Sequence, residues 1–197
     1  CIGATMATKT IVPGILLIVC YCTFFLIRKE LSNLLRFIMW LPVSGIVFVV
    51  SYTRTFISGY TFWDFLKFQK WIFLYQKSKL IYPLSSLRLL FFNQWQSWWG
   101  DFSILRADDW SYLWPISTFT SFGTGLWLII RKDWKSLENQ PILLLLLWII
   151  LYQSFLSVGV VSSRFFIPVL PSQYILLVFA VSRIFHHVIR TRSMRRK

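Results

Sequence analysis

The chain is short of acid. Only seven of its 197 residues are Asp or Glu, against 21 Lys and Arg, and charged residues of both signs make up 14% of it. A water-soluble domain carries about 25% charged residues, so this sequence has too few to solvate a globule of its size. Cysteine is scarce as well. Three in all exclude a disulfide-built secreted scaffold, and Cys20 and Cys22, on different faces of one apolar run, read as small hydrophobes. The only histidines, His186 and His187, stand among basic neighbours without Cys, Asp or Glu nearby, which makes them poor metal ligands. No nucleic-acid motif organises the net charge of +14, so no nucleic-acid partner is expected. Disorder is excluded by 19% aromatics.

What remains is oil. Hydrophobic residues make up 56% of the chain and its mean hydropathy is +0.61. A bilayer core takes about 20 mostly apolar helical residues, with about 17 usable. Five stretches approach this: roughly 11–27, 37–53, 113–130, 141–158 and 165–185. The fourth is apolar throughout from Ile142 to Leu151, whereas Pro42, Ser44 and Gly45 interrupt the second. The expected fold is therefore all-α, a multi-pass transmembrane helical bundle of about five spans. Residues 1–53 hold two transmembrane helices, 54–112 an outward amphipathic, aromatic-rich segment, 113–185 three more helices, and 186–197 a basic cytoplasmic tail.

Lys and Arg in the short loops orient such a bundle. Arg28, Lys29 and Arg36 follow the first span, Arg131, Lys132 and Lys135 the third, and Arg190, Arg192, Arg195, Arg196 and Lys197 the fifth. Five-span alternation puts all three groups on one side, the cytoplasmic one, in the cell membrane. A basic tail there fixes topology and touches anionic headgroups, so membrane lipids are expected partners. Cys1 in place of an initiator Met suggests a sequence that begins inside a longer chain.

The outward segment is neither linker nor soluble domain. From Phe62 to Ile81, Asp64, Lys67, Lys70 and Lys77 recur at helical spacing, with Phe65, Phe68, Ile72 and Tyr75 on another face. That pattern suits the headgroup boundary. Pro83-Leu84-Ser85-Ser86 breaks the helix, and Gln94–Trp99 and Asp108–Trp114 form two Trp-rich patches. For any one Trp the plain reading is an interfacial belt; the segment as a whole offers rigid amphipathic surface for a lipid-linked or carbohydrate substrate. Asp108 and Asp109 precede a helix, where N-capping outweighs cation binding or base chemistry. With Trp98 and Trp99 they are the candidate substrate-binding residues.

Two patterns go beyond composition: Gly3-Ala4-Thr5-Met6-Ala7-Thr8-Lys9 followed by Pro13-Gly14, and Ser163-Arg164-Phe165-Phe166-Ile167-Pro168-Val169-Leu170-Pro171 at the last span. Each puts one cation at the outward end of a membrane helix. Snorkelling and the grip of a lipid phosphate weigh about evenly for Lys9 and Arg164, with Lys67 and Lys70 next as phosphate ligands.

In this order, around the aromatic segment, the patterns resemble the polytopic GT-C glycosyltransferases, nearest to the protein O-mannosyltransferases and aminoarabinose-transferase-like enzymes. Gly3, Thr8 and Lys9 match the family's helix start, and Arg164, Phe165, Pro168 and Pro171 its late-helix start. Phe65 to Lys79, Trp98-Trp99 and Trp114-Pro115 look like its outward helix and Trp-rich stretch. The resemblance implies transfer of a sugar from a polyprenyl-phosphate carrier to an unidentified acceptor on the outer face. It implies a catalytic acid in a loop upstream of Cys1, so no catalytic residue is assigned here. The outward helix lacks the family's common His, and Tyr82-Pro83 stands where relatives often show His-Pro. No cofactor is expected on this reading, a divalent metal being without support. The reading from another class is a non-enzymatic membrane protein, a transporter fragment or accessory subunit. The absence of an internal repeat, and of ionisable residues in the centres of 141–158 and 165–185, counts against ion-coupled transport.

Overall fold

The computed structural model describes residues 2–8, 11–77, 84–97, 103–131, 136, 139–159 and 161–194. They form a helical bundle: α1 (Ile2–Thr8), α2 (Val12–Arg28), α3 (Leu31–Val50), α4 (Thr53–Ile57), α5 (Phe62–Lys77), α6 (Ser85–Phe92), α7 (Leu113–Arg131), α8 (Gln140–Ser157) and α9 (Leu170–Met194). A 3-10 turn, Ser163–Phe166, precedes α9. The one departure from helix among the described residues is an antiparallel pair, β1 (Trp95–Gln96) with β2 (Ile104–Leu105).

Three helices, α3, α7 and α8, are long and apolar enough to cross a bilayer; α2 and the Leu170–Phe185 part of α9 are apolar but shorter. The first, third and fourth expected stretches coincide with α2, α7 and α8 to within a residue or so. The second does not. α3 begins at Leu31, not 37, and ends at Val50. Arg36 does not stop it, because an exposed cation near a helix end keeps its charge in water while Leu31, Leu34 and Leu35 carry the apolar pattern back to the turn. Pro42 stays inside the helix. The fifth stretch is divided. Pro168 and Pro171 keep its first residues out of the helix, which starts at Leu170, with Pro171 in the first turn where its missing N–H costs nothing, and continues as backbone helix to Met194.

The main core gathers Cys20 of α2, Leu89 and Leu90 of α6, Trp114 and Leu128 of α7, the Ile142/Leu146/Ile149/Leu156 stripe of α8, and Leu176 of α9. A smaller cluster joins Met6, Phe48 and Phe65, with Ile11, Ile18, Tyr52 and Phe56 around it. α2 therefore serves both, and α5 is fastened back on the end of α3: Phe65 lies 4.8 Å from the Tyr52 ring, and Gln69 Nε2 donates to Tyr52 Oη at 3.2 Å. The α3 helix is otherwise open. Within its most apolar window only 6% is buried.

Local chemistry sets the corners. Lys29 ends α2 in the left-handed region at φ 59, and its amide reaches back to carbonyls of the last turn. Beside it Arg28 Nε donates to Glu30 Oε1 at 2.8 Å and Asn33 Nδ2 to Glu30 Oε2 at 2.9 Å. At Gly3, a Cβ would stand 2.2 Å from the backbone oxygen of Ser44. The motif glycine is therefore needed for packing, since α1 and α3 touch there backbone to backbone.

Candidate functional site

The segment between α5 and α7 carries a folded cap. Both ends of α6 are bracketed by residues in the left-handed region, Leu84 at φ 61 and Asn93 at φ 53. Asn tolerates that conformation; Leu does so at a cost of about 1 kcal/mol. The Leu84 amide is held by the Ser157 carbonyl of α8 at 3.1 Å, and the Ser86 and Ser157 hydroxyls meet at 3.1 Å. Asn93 Oδ1 accepts the Ala107 amide at 2.8 Å, closing the β1–β2 hairpin over the end of α6. Trp110 Nε1 donates to the Leu90 carbonyl at 3.1 Å. Trp95 and Trp114 are buried, and the Trp114 ring stacks on Phe166 at 5.5 Å. Composition alone suggested a belt of interfacial rings, and these two indoles are core instead. Trp63 and Trp71 on α5 are exposed, as an interfacial ring would be.

Beneath the cap runs a polar seam. Ser117, Thr118, Ser121 and Thr124 lie on the buried face of α7. Each hydroxyl donates to a backbone carbonyl of its own helix, Ser117 and Thr118 both to Trp114. Thr118 Oγ1 keeps a lone pair and accepts Gln173 Nε2 of α9 at 3.0 Å. Two fully buried side chains thus tie α7 to α9. Gln173 Oε1 and both amide atoms of buried Gln153 on α8 have no hydrogen-bond partner among the described residues. A buried polar atom left so costs about 1–3 kcal/mol, and such residues inside an apolar bundle mark either helix contacts or a substrate path.

The residues singled out from sequence fall in several places. Lys67 and Lys70 are exposed on α5, and Lys67 Nζ lies 3.6 Å from Asp64 Oδ1. Arg164 is exposed on the 3-10 turn, next to buried Phe166. α5 packs in the small cluster and the 3-10 turn in the main one, so the two groups of cations sit on different parts of the fold. Asp108 and Asp109 are exposed in a turn and do not cap α7. The amide of Leu113 is met by Ser111 Oγ at 3.2 Å instead, a shorter reach from the helix start. Lys9, Trp98, Trp99 and Tyr82-Pro83 lie outside the described residues, as do Lys132 and Lys135. Among the described residues no group of three His, Cys, Asp or Glu side chains gathers.

Sequence reasoning did not single out Gln153, Gln173 or the Ser/Thr face of α7. The signal was there for α7: Ser117, Ser121 and Thr124 recur at helical spacing in an otherwise apolar stretch. It also read Asp64 only as one charge of a helix face at the headgroup boundary. Asp64 Oδ2 takes the Thr61 amide at 3.0 Å and hydroxyl at 2.7 Å, while Thr61 Oγ1 takes the Asp64 amide at 3.3 Å. This is a reciprocal capping box that starts α5. Those two Thr61 hydrogen bonds, the hydroxyl's foremost, hold the Asp64 carboxyl below its ordinary 3.8.

No family model, no curated protein and no solved structure matches this chain.

Proposed function

We propose that the chain is the membrane part of a glycosyltransferase that takes a sugar from a polyprenyl-phosphate carrier on the outer face. It crosses the bilayer with α2, α3, α7, α8 and α9 and has its C-terminus in the cytoplasm. One observation carries this reading. The Trp114-Pro115 and Arg164–Pro171 stretches, about fifty residues apart and both part of the resemblance, meet ring on ring where Trp114 stacks on Phe166. They meet at the head of the α7–α9 seam, with the Arg164 guanidinium exposed and no carboxylate beside it among the described residues.

The chemistry fits a phosphodiester. Its leaving group is anionic, and a guanidinium fork at the membrane surface would stabilise bound donor and departing phosphate alike. Below, the unpaired Gln173 carbonyl oxygen in the seam suits a hydroxyl that an apolar wall would reject. The five-span arrangement is supported by register: Thr118 pairs with Gln173, and Trp127 with Arg183 about ten residues on in each helix, so α7 and α9 run parallel and α8 returns between them.

The test is donor binding by the chain in nanodiscs, with a polyprenyl-phosphate sugar as probe. Arg164→Ala is expected to weaken binding about tenfold, and Arg164→Lys less, since one charge-assisted hydrogen bond is worth about 1.5–3 kcal/mol. Binding that ignores both changes removes Arg164 from the site. No donor binding at all favours the non-enzymatic membrane protein, a reading supported by the exposure of Asp108 and Asp109.

A further inference from the structure

The opposite end of the same two helices carries a second constellation. Arg131, the last residue of α7, and Arg183, on α9, both place their guanidinium carbons 5.5 Å from the centroid of the Trp127 ring. The two cations are therefore no further apart than twice that distance. Arg183 also lies 5.2 Å from the Phe179 ring. Both arginines are exposed, and neither has a carboxylate partner among the described residues. Two like charges drawn over one indole repel each other, and the ring quadrupole offsets only part of that. An anion between them would remove the repulsion.

The surroundings say what kind of anion. On the α7 side Leu126, Ile129 and Ile130 are exposed, and on the α9 side Val178, Val181 and Ile184. These side chains lie within about two turns of the arginines. A free phosphate would satisfy the guanidinium groups and leave this apolar surface bare. A phospholipid satisfies both, with its phosphate between the forks and its acyl chains along the two helices. Because α7 and α9 run parallel, both arginines stand at the same leaflet.

We infer that Arg131, Trp127 and Arg183 form a site for the phosphate of one anionic phospholipid at the C-terminal ends of α7 and α9. The inference rests on the chain crossing the bilayer, but not on the glycosyltransferase reading, whose donor site is at the other end.

Native mass spectrometry of the full chain, released from detergent after titration with phosphatidylglycerol or phosphatidylcholine, tests it. The wild type is expected to retain phosphatidylglycerol in preference to phosphatidylcholine. Arg131→Gln and Arg183→Gln should each lower that retention about fivefold, as about 1 kcal/mol per basic residue predicts. Arg183→Lys should fall between, keeping charge without the fork. Millimolar inorganic phosphate should leave the lipid in place. Equal retention of the two lipids by the wild type, or glutamine variants that bind as it does, overturns the site. Displacement by inorganic phosphate overturns the lipid as its ligand. Carbonate extraction of membranes separates the two failures. A chain that washes out has lost the membrane reading and this site with it, whereas one that stays embedded without lipid preference has lost the site alone.

Discussion

Gln153 lies on the α8 stripe with the apolar Ile142, Leu146, Ile149 and Leu156. Its amide brings polarity that no described side chain answers. Gln173 differs, since Thr118 takes one of its amide hydrogens. Replacing Gln153 with Leu should therefore raise stability by about 1–3 kcal/mol, the cost of an unsatisfied buried group. Gln173→Leu should gain less, because it forfeits a hydrogen bond. Thermal unfolding in one detergent compares the two variants. A stability loss in Gln153→Leu would show that the amide is answered, by ordered water or by a bound molecule. The same residue shows where reading a sequence stops. A Gln within an apolar run near a span's end is compatible with either face of the helix, and only packing decides that it is buried.

At the scale of elements, hydropathy sufficed wherever a span ends in unambiguous punctuation. α8 starts at Gln140, just before Pro141, and α7 at Leu113, just before Trp114-Pro115, and both were legible to a residue or so. It failed where charge and proline carry two meanings. Arg36 marks a loop by composition but an exposed turn of α3 in the fold, and Pro168 lies outside α9 while Pro42 sits inside α3. The cap was the least legible part, because α6 and its hairpin are held by single contacts between distant residues, Asn93 with Ala107 and Ser86 with Ser157.

Two helix ends also carry a pH dependence. Asn33 and Arg28, the former foremost, hold the Glu30 carboxyl below its ordinary 4.5, as Thr61 does for Asp64. A carboxyl depressed in the folded state stabilises it above the unfolded pKa, and the contribution disappears as pH falls through the folded value. Acidification from about pH 6 to about pH 3 should thus lower the unfolding midpoint of the wild type more than that of the Glu30→Gln/Asp64→Asn double variant. An equal fall in both would show that these caps do not couple to global unfolding. Both acids are half-buried at the surface, so the difference should be small and should shrink in high salt.

For the molecule as a whole, the proposed five-span arrangement with parallel α7 and α9 predicts a definite sidedness. The turn at Asp108 and the bend at Ser136 are exposed, and α7 lies between them. A cysteine at Asp108 should react with a membrane-impermeant maleimide added to intact cells, and a cysteine at Ser136 only after permeabilisation. The three native cysteines are replaced by Ser first, so that only the introduced thiol reports. Labelling of both sites from outside would end the five-span reading; the reverse pattern would invert its orientation.

The bareness of α3 has a consequence for how this sequence tolerates change. Met39, Ile46 and Val50 are exposed, so their identity matters only as oil. A saturation scan across Leu31–Val50 should show those positions interchangeable among aliphatic and aromatic residues and closed to Asp, Lys and Arg. At Phe48, seated against Phe65 and Tyr52, even a shift to Val should register. Along one helix, then, drift would be free on the uncovered side and arrested on the side that meets protein.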